Sequence, residues 1–363
     1  MSGRLASWSL YPVRIPYERT VTWATQTVSD IAFAILRLEA EDGTVGVGEV
    51  HVNPQWFGVT FRSLQAALED VFIPLLAKDG LDPQTFGRSA AAYAENRSAK
   101  ALVDAALRDV AGAASGTPFW AQFGEERPEV CWTVTRQSPA RMAEEAAQVV
   151  ERYGFRTLKL KGGQGFDVDR DGIRAIRKGV GDEVRFFLDC NSHYSADDAP
   201  RYLEMAAAEG VVAVEDPCRI RPNDAFARLQ DSAELPIVLD APCPSLRDAE
   251  LFCDLRARAI ALKLGRIGIS ESFAIADLAR GRGCAVHVGL TMESVLGSLA
   301  ALGVAKQLTS PATWLPSETT TYLMHADRIT VDPLPVVDGH VRLPRASGLA
   351  QLVDWERVAR LHP

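Results

Sequence analysis

The 363-residue sequence has no apolar run long enough to cross a membrane, and its first residues lack the apolar core of a signal peptide. Positive charge is not in excess, because 39 Lys and Arg residues face 47 Asp and Glu residues. The net charge of −8 offers no basic surface for a phosphate backbone, which disfavours a nucleic-acid partner. We therefore expect a cytoplasmic protein with no membrane partner.

Cysteine pairs of the Cys-x-x-Cys type are also missing. The six cysteines lie far apart in a chain long enough to build its core without disulfides, and we interpret them as reduced thiols. No Gly-x-Gly-x-x-Gly follows a predicted strand. The run Gly162-Gly-Gln-Gly165 is more typical of a strand-to-helix turn than of a phosphate-binding loop.

The N-terminal pattern predicts an α+β unit over residues 1–125. Two apolar runs, at residues 31–39 and 45–50, are joined by a turn and predict antiparallel strands. Helical spacing follows over residues 64–76 and 90–114.

Residues 126–326 alternate short apolar runs with charged helical stretches, which is typical of parallel βαβ units. Seven runs are clear, and a weaker eighth lies near residues 313–316. Eight units close most economically as a barrel, with a doubly wound open sheet as the alternative. The tail, residues 327–363, contains a predicted hairpin at Asp338-Gly339, and we expect it to rejoin the N-terminal unit.

Three consecutive predicted strands end in carboxylates, namely Asp189, Glu215 and Asp240. The carboxyl ends of barrel strands share the face that carries the chemistry, and an all-oxygen set without Cys or His suits Mg²⁺. The alternative is that these acids cap the following helices, but three adjacent strands that end alike favour a metal site. Alternation places Asn191 beside Asp189 and turns Asp216 away from Glu215.

Lysines end two further predicted strands. Lys159 and Lys161 share one face of the second strand, and Lys263 ends the sixth. Since these strands lie opposite in an eight-stranded ring, Lys161 and Lys263 would face each other across the mouth, one toward each face of a substrate's α-carbon. The charge of Lys159 would favour the neutral amine that a base requires at Lys161. The simpler interpretation is a buried ionic cluster, which does not exclude catalysis.

Longer motifs carry a family resemblance over nearly the whole chain. The sequence resembles the enolase superfamily, specifically its muconate-lactonizing-enzyme-like branch. The matching segments are Asp42-Gly-Thr-Val-Gly-Val-Gly-Glu49, Ala105-Ala-Leu-Arg-Asp-Val-Ala-Gly112, Lys159-Leu-Lys161, Asp189-Cys-Asn191, Glu215-Asp-Pro217, Asp240, Lys263-Leu-Gly-Arg-Ile-Gly268, Thr291-Met-Glu-Ser294 and the run from Asp338-Gly to Pro344.

The resemblance implies an α/β fold, a (β/α)₇β barrel with an α+β capping domain built from the N-terminal segment and the tail. It also implies one Mg²⁺, or Mn²⁺ in its place, and abstraction of the proton α to a carboxylate to give a metal-stabilised enolate. By position, Asp189, Glu215 and Asp240 become the metal ligands. Catalytic roles go to Lys161 and Lys263 as acid and base, and to Lys159 as their partner. Substrate contacts go to Arg19, Trp56, Phe57 and Glu293.

The sequence departs from the family pattern at two places, one beside the third metal ligand and one on the eighth strand. Ala241 follows the third metal ligand where the family usually has Glu, and the eighth-strand Asp-x-Asp of dipeptide epimerases is not visible, which disfavours a dipeptide substrate. Since Lys263 occupies the sixth strand, we interpret His287 as a core histidine, or as one that supports a site residue from behind, and not as a base.

The expected function is a Mg²⁺-dependent isomerase or lyase of a small-molecule carboxylate, as a racemase, epimerase or cycloisomerase. The resemblance also implies a homo-oligomer, either a dimer or an octamer. Three alternatives stay open: a syn-dehydratase, a Schiff-base aldolase that uses Lys263, and a barrel that only binds its ligand.

Overall fold

The computed structural model describes residues 3–121, 127–308 and 315–363. The N-terminal unit contains an antiparallel sheet in the order β1-β2-β3, with β1 (Leu5–Thr22), β2 (Thr27–Ala40) and β3 (Val45–His51). The sequence analysis missed β1, whose Pro12 and Pro16 argue against a central strand. Proline is tolerated here because β1 is an edge strand.

Helices cover one face of this sheet: α1 (Pro54–Phe57), α2 (Phe61–Ala67), α3 (Ile73–Asp79), α4 (Pro83–Ala90) and α5 (Arg97–Ser115). A π-helical turn, Leu68–Phe72, interrupts the predicted helix at residues 64–76, and the predicted helix at 90–114 begins only at Arg97. Close packing of α5 on β3 requires glycine, because a Cβ at Gly48 would lie 2.3 Å from the carbonyl oxygen of Leu102.

The second unit is a ring of parallel strands that hydrogen-bond in chain order: β4 (Trp132–Val134), β5 (Thr157–Lys161), β6 (Arg185–Asp189), β7 (Ala213–Glu215), β8 (Ile237–Leu239), β9 (Ala259–Leu262) and β10 (Ala285–Val288). Around it lie α6 (Pro139–Tyr153), α7 (Phe166–Val180), α8 (Ala199–Ala208), α9 (Asp224–Ser232), α10 (Leu246–Asp254), α11 (Leu264–Ile267), α12 (Ile269–Gly281) and α13 (Val295–Gln307). A small apolar cluster that includes Phe187, Val238 and Leu315 fills the ring's interior.

Residues 317 and 318 connect the two ends of this ring. Cys131 donates its backbone N–H to the carbonyl of Ser317 at 2.9 Å, and Glu318 donates to Val288 at 3.1 Å, which links the segment before β4 to the end of β10. These bonds confirm the predicted (β/α)₇β barrel over the open sheet. Of the weak eighth apolar run, residues 313 and 314 lie outside the described residues.

The tail contributes β11 (Val336–Val337), β12 (His340–Val341) and α14 (Trp355–Arg360). Its hairpin turns at Asp338-Gly339 as predicted, with φ of 52° and 72°. This hairpin packs on the barrel, since Gly339 donates its N–H to the carbonyl of Tyr153 at 2.7 Å. The contact with the N-terminal unit comes later, where Leu349 donates its N–H to Asp109 Oδ1 at 2.6 Å. The division at residues 125 and 326 stays a prediction.

All six cysteines are buried and free of disulfides, as predicted. Within the described ranges, no helix has the length and apolarity of a membrane span.

Candidate active site

The carboxyl ends of the barrel strands bring the predicted residues together. The ladder pairs Lys161 with Asp189 and Asp189 with Glu215, and all of these side chains are buried. Four non-glycine residues with positive φ lie at this same face, namely Asn191, Ser192, Asp216 and Met292. Such backbone strain is concentrated at functional sites.

Lys159 lies at the bottom of the site and is completely buried. Its Nζ is 2.7 Å from Glu215 Oε2, 2.9 Å from Glu318 Oε2 and 3.1 Å from Asp189 Oδ2. Burial lowers the pKa of Lys159, but Asp189, Glu215 and Glu318 together raise it well above its ordinary value. Lys159 is therefore a permanent ammonium whose charge is compensated, so its expected repulsion of Lys161 is largely offset.

Lys161 and Lys263 bind the row of carboxylates from opposite ends. Lys161 Nζ is 2.5 Å from Asp189 Oδ2, and Lys263 Nζ hydrogen-bonds Asp240 Oδ2 and lies 3.5 Å from Glu215 Oε1. Between β5, which carries Lys161, and β9, which precedes Lys263, lie the three strands that carry the carboxylates. The two amines therefore flank the carboxylates, as the sequence predicted.

The carboxylates of the site differ from one another in the direction of their pKa shifts. Burial raises the pKa of Asp240, but Lys263 and Arg266 outweigh it and hold that pKa well below its usual range. Burial and the nearby Asp189 raise the pKa of Glu215 well above its ordinary value. A cationic partner is therefore close to Asp240, while Glu215 is the carboxylate that most lacks compensation.

Arg266 and Glu318 are two site residues that the sequence analysis did not assign. Arg266 Nη2 lies 2.9 Å from Asp240 Oδ1 and 2.8 Å from the Asp240 carbonyl oxygen. The sequence feature that could have identified Arg266 as a site residue is its position three residues after Lys263, on the short helix α11. Glu318 comes two residues after the weak eighth apolar run, and that run was too indistinct to mark it as a site residue. It binds His287 Nε2 at 2.6 Å, which supports a core role for that histidine.

Asp216 contradicts the expectation that its side chain points away from the site. Its φ of 41° turns the carboxylate toward the end of β8, where it accepts the backbone N–H groups of Asp240 at 3.1 Å and Ala241 at 2.8 Å. Burial and Asp240 raise the pKa of Asp216 to about 7. Strict strand alternation fails here because β7 ends at Glu215.

A cavity of about 360 Å³ opens above these groups. Its polar side includes Lys161, Lys263, Asp216, Asp240, Asn191 and Arg266, and its apolar side includes Trp23, Trp56, Phe57, Leu290 and Met292. Trp56 and Phe57 therefore lie on the apolar wall of the cavity, and their contact with substrate stays a prediction.

The other two predicted substrate contacts lie elsewhere. Arg19 Nη2 binds Glu145 Oε2 at 2.5 Å and Thr135 Oγ1 at 3.2 Å, and Arg19 is not part of the cavity wall. Glu293 accepts the backbone N–H of Thr291 at 2.8 Å, away from the wall that Thr291 itself helps to form.

The three predicted ligands suit a hard divalent cation. All three offer only carboxylate oxygen, and within the described part of the chain the buried Oε1 of Glu215 accepts no hydrogen bond. A second set, Glu215, His287 and Glu318, offers ligand atoms within 4.8 Å of one another. Lys159 bonds both glutamates of the second set, and it also bonds Asp189 and Glu215 of the predicted set. The predicted set has the all-oxygen chemistry that Mg²⁺ prefers, whereas the second set includes an imidazole nitrogen.

Residues 141–357 match the family described as enolase C-terminal domain-like, and residues 9–124 match the mandelate racemase/muconate lactonizing enzyme N-terminal domain. The chain belongs to the mandelate racemase/muconate lactonizing enzyme family of the enolase superfamily. Like its relatives, it is an enzyme.

Relatives and solved structures agree with this assignment. The chain is 28% identical to a chloromuconate cycloisomerase of Cupriavidus necator over 358 residues, 95% of each chain. It is 31% identical to an o-succinylbenzoate synthase of Geobacillus stearothermophilus, over 88% of this chain and 85% of that one. A muconate lactonizing enzyme from Mucobacterium Smegmatis, solved with muconolactone, superposes with a TM-score of 0.91 at 25% identity over all of both chains. The L-Ala-D/L-Glu epimerase from Bacillus subtilis gives a TM-score of 0.86 at 26% identity, over 95% of this chain and 98% of that one.

Proposed function

We propose that this enzyme is an isomerase that moves a proton at the carbon α to a substrate carboxylate, by racemisation, epimerisation or cycloisomerisation. The observation that carries the proposal is the placement of Lys161 and Lys263 at opposite ends of the row formed by Asp189, Glu215 and Asp240, on the wall of one cavity. Two amines on opposite sides of one bound carbon form the acid and base pair that such reactions need.

Asp189, Glu215 and Asp240 would hold Mg²⁺, or Mn²⁺ in its place, which supplies a Lewis acid that draws negative charge from the reacting carboxylate. Each of these three carboxylates also forms an ion pair with a neighbouring lysine. Asp189 and Glu215 bind Lys159, whose ammonium offsets part of the repulsion between these two neighbouring carboxylates. Asn191 donates its backbone N–H to Asp189 Oδ1 at 2.9 Å, and thereby fixes the direction of the remaining lone pairs.

Lys161 and Lys263 carry the proton transfers at Nζ. One amine removes the α-proton from one face of the substrate, and the other returns a proton to the opposite face in a racemase. In a cycloisomerase, a single lysine exchanges the proton and the other stays as a cation near the developing charge. Trp23, Trp56 and Phe57 exclude water from the apolar side of the cavity, which strengthens each of these charge interactions.

Relatives support the choice of reaction, since chloromuconate cycloisomerases match over 95% of this chain. A small carboxylate is the substrate class that the cavity suits. The Schiff-base alternative loses support because a Schiff base at Lys263 forms without a divalent cation, which would leave the row of three carboxylates without a purpose. A homo-oligomer, either a dimer or an octamer, stays part of the proposal, and light scattering on the eluting protein tests it.

The proposal is tested by α-deuteration. The protein is incubated with Mg²⁺ in D₂O and a panel of N-acyl amino acids, muconates and hydroxy acids, and NMR follows deuterium at the α-carbon and any change in the carbon skeleton. We expect exchange with at least one carboxylate, loss of exchange after chelation, and recovery when Mg²⁺ is returned. Full exchange after exhaustive EDTA treatment would remove the metal role of the three carboxylates, and net loss of water would indicate a dehydratase instead.

A further inference from the structure

Arg136 lies two residues after β4, where its side chain reaches three separate segments of backbone. Nε donates to the carbonyl oxygen of Gly162 at 2.8 Å, and Nη1 donates to that of Ala24. Nη2 lies 3.5 Å from the carbonyl oxygen of Cys190, a longer contact. The backbone N–H of Arg136 also donates to the carbonyl of Thr22 at 3.2 Å. Arg136 therefore makes four hydrogen bonds to backbone carbonyls of three segments.

Each of these carbonyls belongs to a segment that forms the active site. Ala24 lies in the loop between β1 and β2, which contributes Trp23, Ala24 and Thr25 to the cavity wall. Gly162 directly follows Lys161, and Cys190 directly follows Asp189. One guanidinium thus joins the loop from the N-terminal unit to the backbone beside a proposed base and beside a proposed metal ligand.

The chemistry of these contacts requires arginine. A planar guanidinium has five N–H donors in a fixed fork, whereas a lysine ammonium is a compact group that cannot span three carbonyls. Among the described residues, no carboxylate forms an ion pair with Arg136, so carbonyl acceptors and not a counter-charge hold the side chain. The space is closely fitted as well, since a Cβ at Gly163 would lie 2.5 Å from Nη2.

We infer that Arg136 is a positioning residue that fastens the loop at residues 22–25 to the barrel segments after β5 and β6. Substrate enclosure by Trp23 and the placement of Lys161 are then controlled by one side chain that touches neither substrate nor metal. The inference rests on the proposed function only in taking the cavity as the active site. The fastening itself is a property of the protein without substrate.

Hydrogen–deuterium exchange on the full chain tests this fastening. Arg136→Gln and Arg136→Lys are compared with Arg141→Gln, a control whose exposed side chain pairs, among the described residues, only with Glu144 about one turn further along α6. One hydrogen bond from a charged donor corresponds to about tenfold in an opening equilibrium. We therefore expect amide exchange of residues 22–27, 162–165 and 190–193 to accelerate in both Arg136 variants, by about tenfold or more in the first two segments, with the rest of the barrel unchanged.

The outcome is decided by where the change occurs. Faster exchange confined to those three segments supports the inference, and exchange that is unchanged at residues 22–27 and 162–165, or accelerated equally throughout the barrel, overturns it. Should Arg136→Gln fail to fold, Arg136→Lys, which keeps the charge and most of the length, decides in the same way. For a carboxylate that the deuteration panel identifies, kcat/KM should fall about tenfold in the Arg136 variants and stay unchanged in Arg141→Gln, because both the enclosure of substrate and the placement of Lys161 are loosened. If the panel yields none, the proposed function fails while the exchange experiment still decides this inference.

Discussion

Replacing Lys159 by Met should destabilise the protein strongly, because it removes the ammonium that three buried carboxylates share. The partner distances are 2.7, 2.9 and 3.1 Å, and neither the lysine nor any of the three carboxylates is exposed. Removal of one partner from a buried ion pair costs about 3–5 kcal/mol. Since domains are stable by about 5–15 kcal/mol, Lys159→Met should lose a large part of the free energy of unfolding at neutral pH.

The stability that Lys159→Met loses should become smaller as the pH falls. Burial raises the pKa of Glu318, but Lys159 and His287 lower it to about 2, so in the native protein this carboxylate stabilises the fold above its unfolded pKa. Without Lys159, burial dominates and the folded pKa of Glu318 rises above the unfolded value. The variant should then gain stability as the pH falls through that raised pKa, and its deficit should shrink between pH 7.5 and 5.

Urea unfolding at pH 7.5 and pH 5.0 measures both effects, with Lys178→Met as the control. Lys178 is exposed on α7, where a substitution should change stability by no more than about 0.5 kcal/mol. A deficit of Lys159→Met that equals the control's, or one that is the same at both pH values, would refute the reasoning.

Two further predictions concern buried carboxylates. Glu215→Gln should abolish Mg²⁺ binding, and Asp216→Asn should weaken it about tenfold, because the amide cannot accept both the Asp240 and Ala241 N–H groups. Calorimetric titration with Mg²⁺ measures this, and unchanged affinity in Asp216→Asn would contradict it. Burial raises the pKa of Glu49 from 4.5 to about 7, so native stability should fall by about 3 kcal/mol as the pH rises between those values. In Glu49→Gln that slope should disappear from urea unfolding, and its persistence would assign the slope to another group.

The barrel, the three carboxylates and the lysines at its mouth could be placed from the sequence for one physical reason. Each metal-ligand candidate and each lysine lies at the end of a short apolar run, so local periodicity alone places it at the mouth. The same rule predicted the wrong direction for the Asp216 side chain, because the positive φ of this residue, and not its place in the strand, sets that direction.

The remaining errors involve contacts between distant segments. Arg19 was expected at the cavity, but Glu145 of α6 holds it elsewhere, and no feature near residue 19 announces that partner. Glu318 enters the site just after the weak eighth apolar run, and it contacts Lys159 and His287, which lie far from it in the sequence. Tertiary pairing of this kind is invisible to periodicity.

The most direct test of the two-lysine site is stereospecific α-proton exchange in D₂O by Lys161→Ala and Lys263→Ala, with each enantiomer of an accepted carboxylate assayed separately. If the enzyme is a racemase, each variant should lose exchange from one enantiomer and keep some from the other, with the two variants reversed. If it is a cycloisomerase, one lysine should be required for proton transfer, and loss of the other should slow the reaction by about 10²–10³. Exchange of both enantiomers at the unmutated rate by both variants would show that neither lysine is the base.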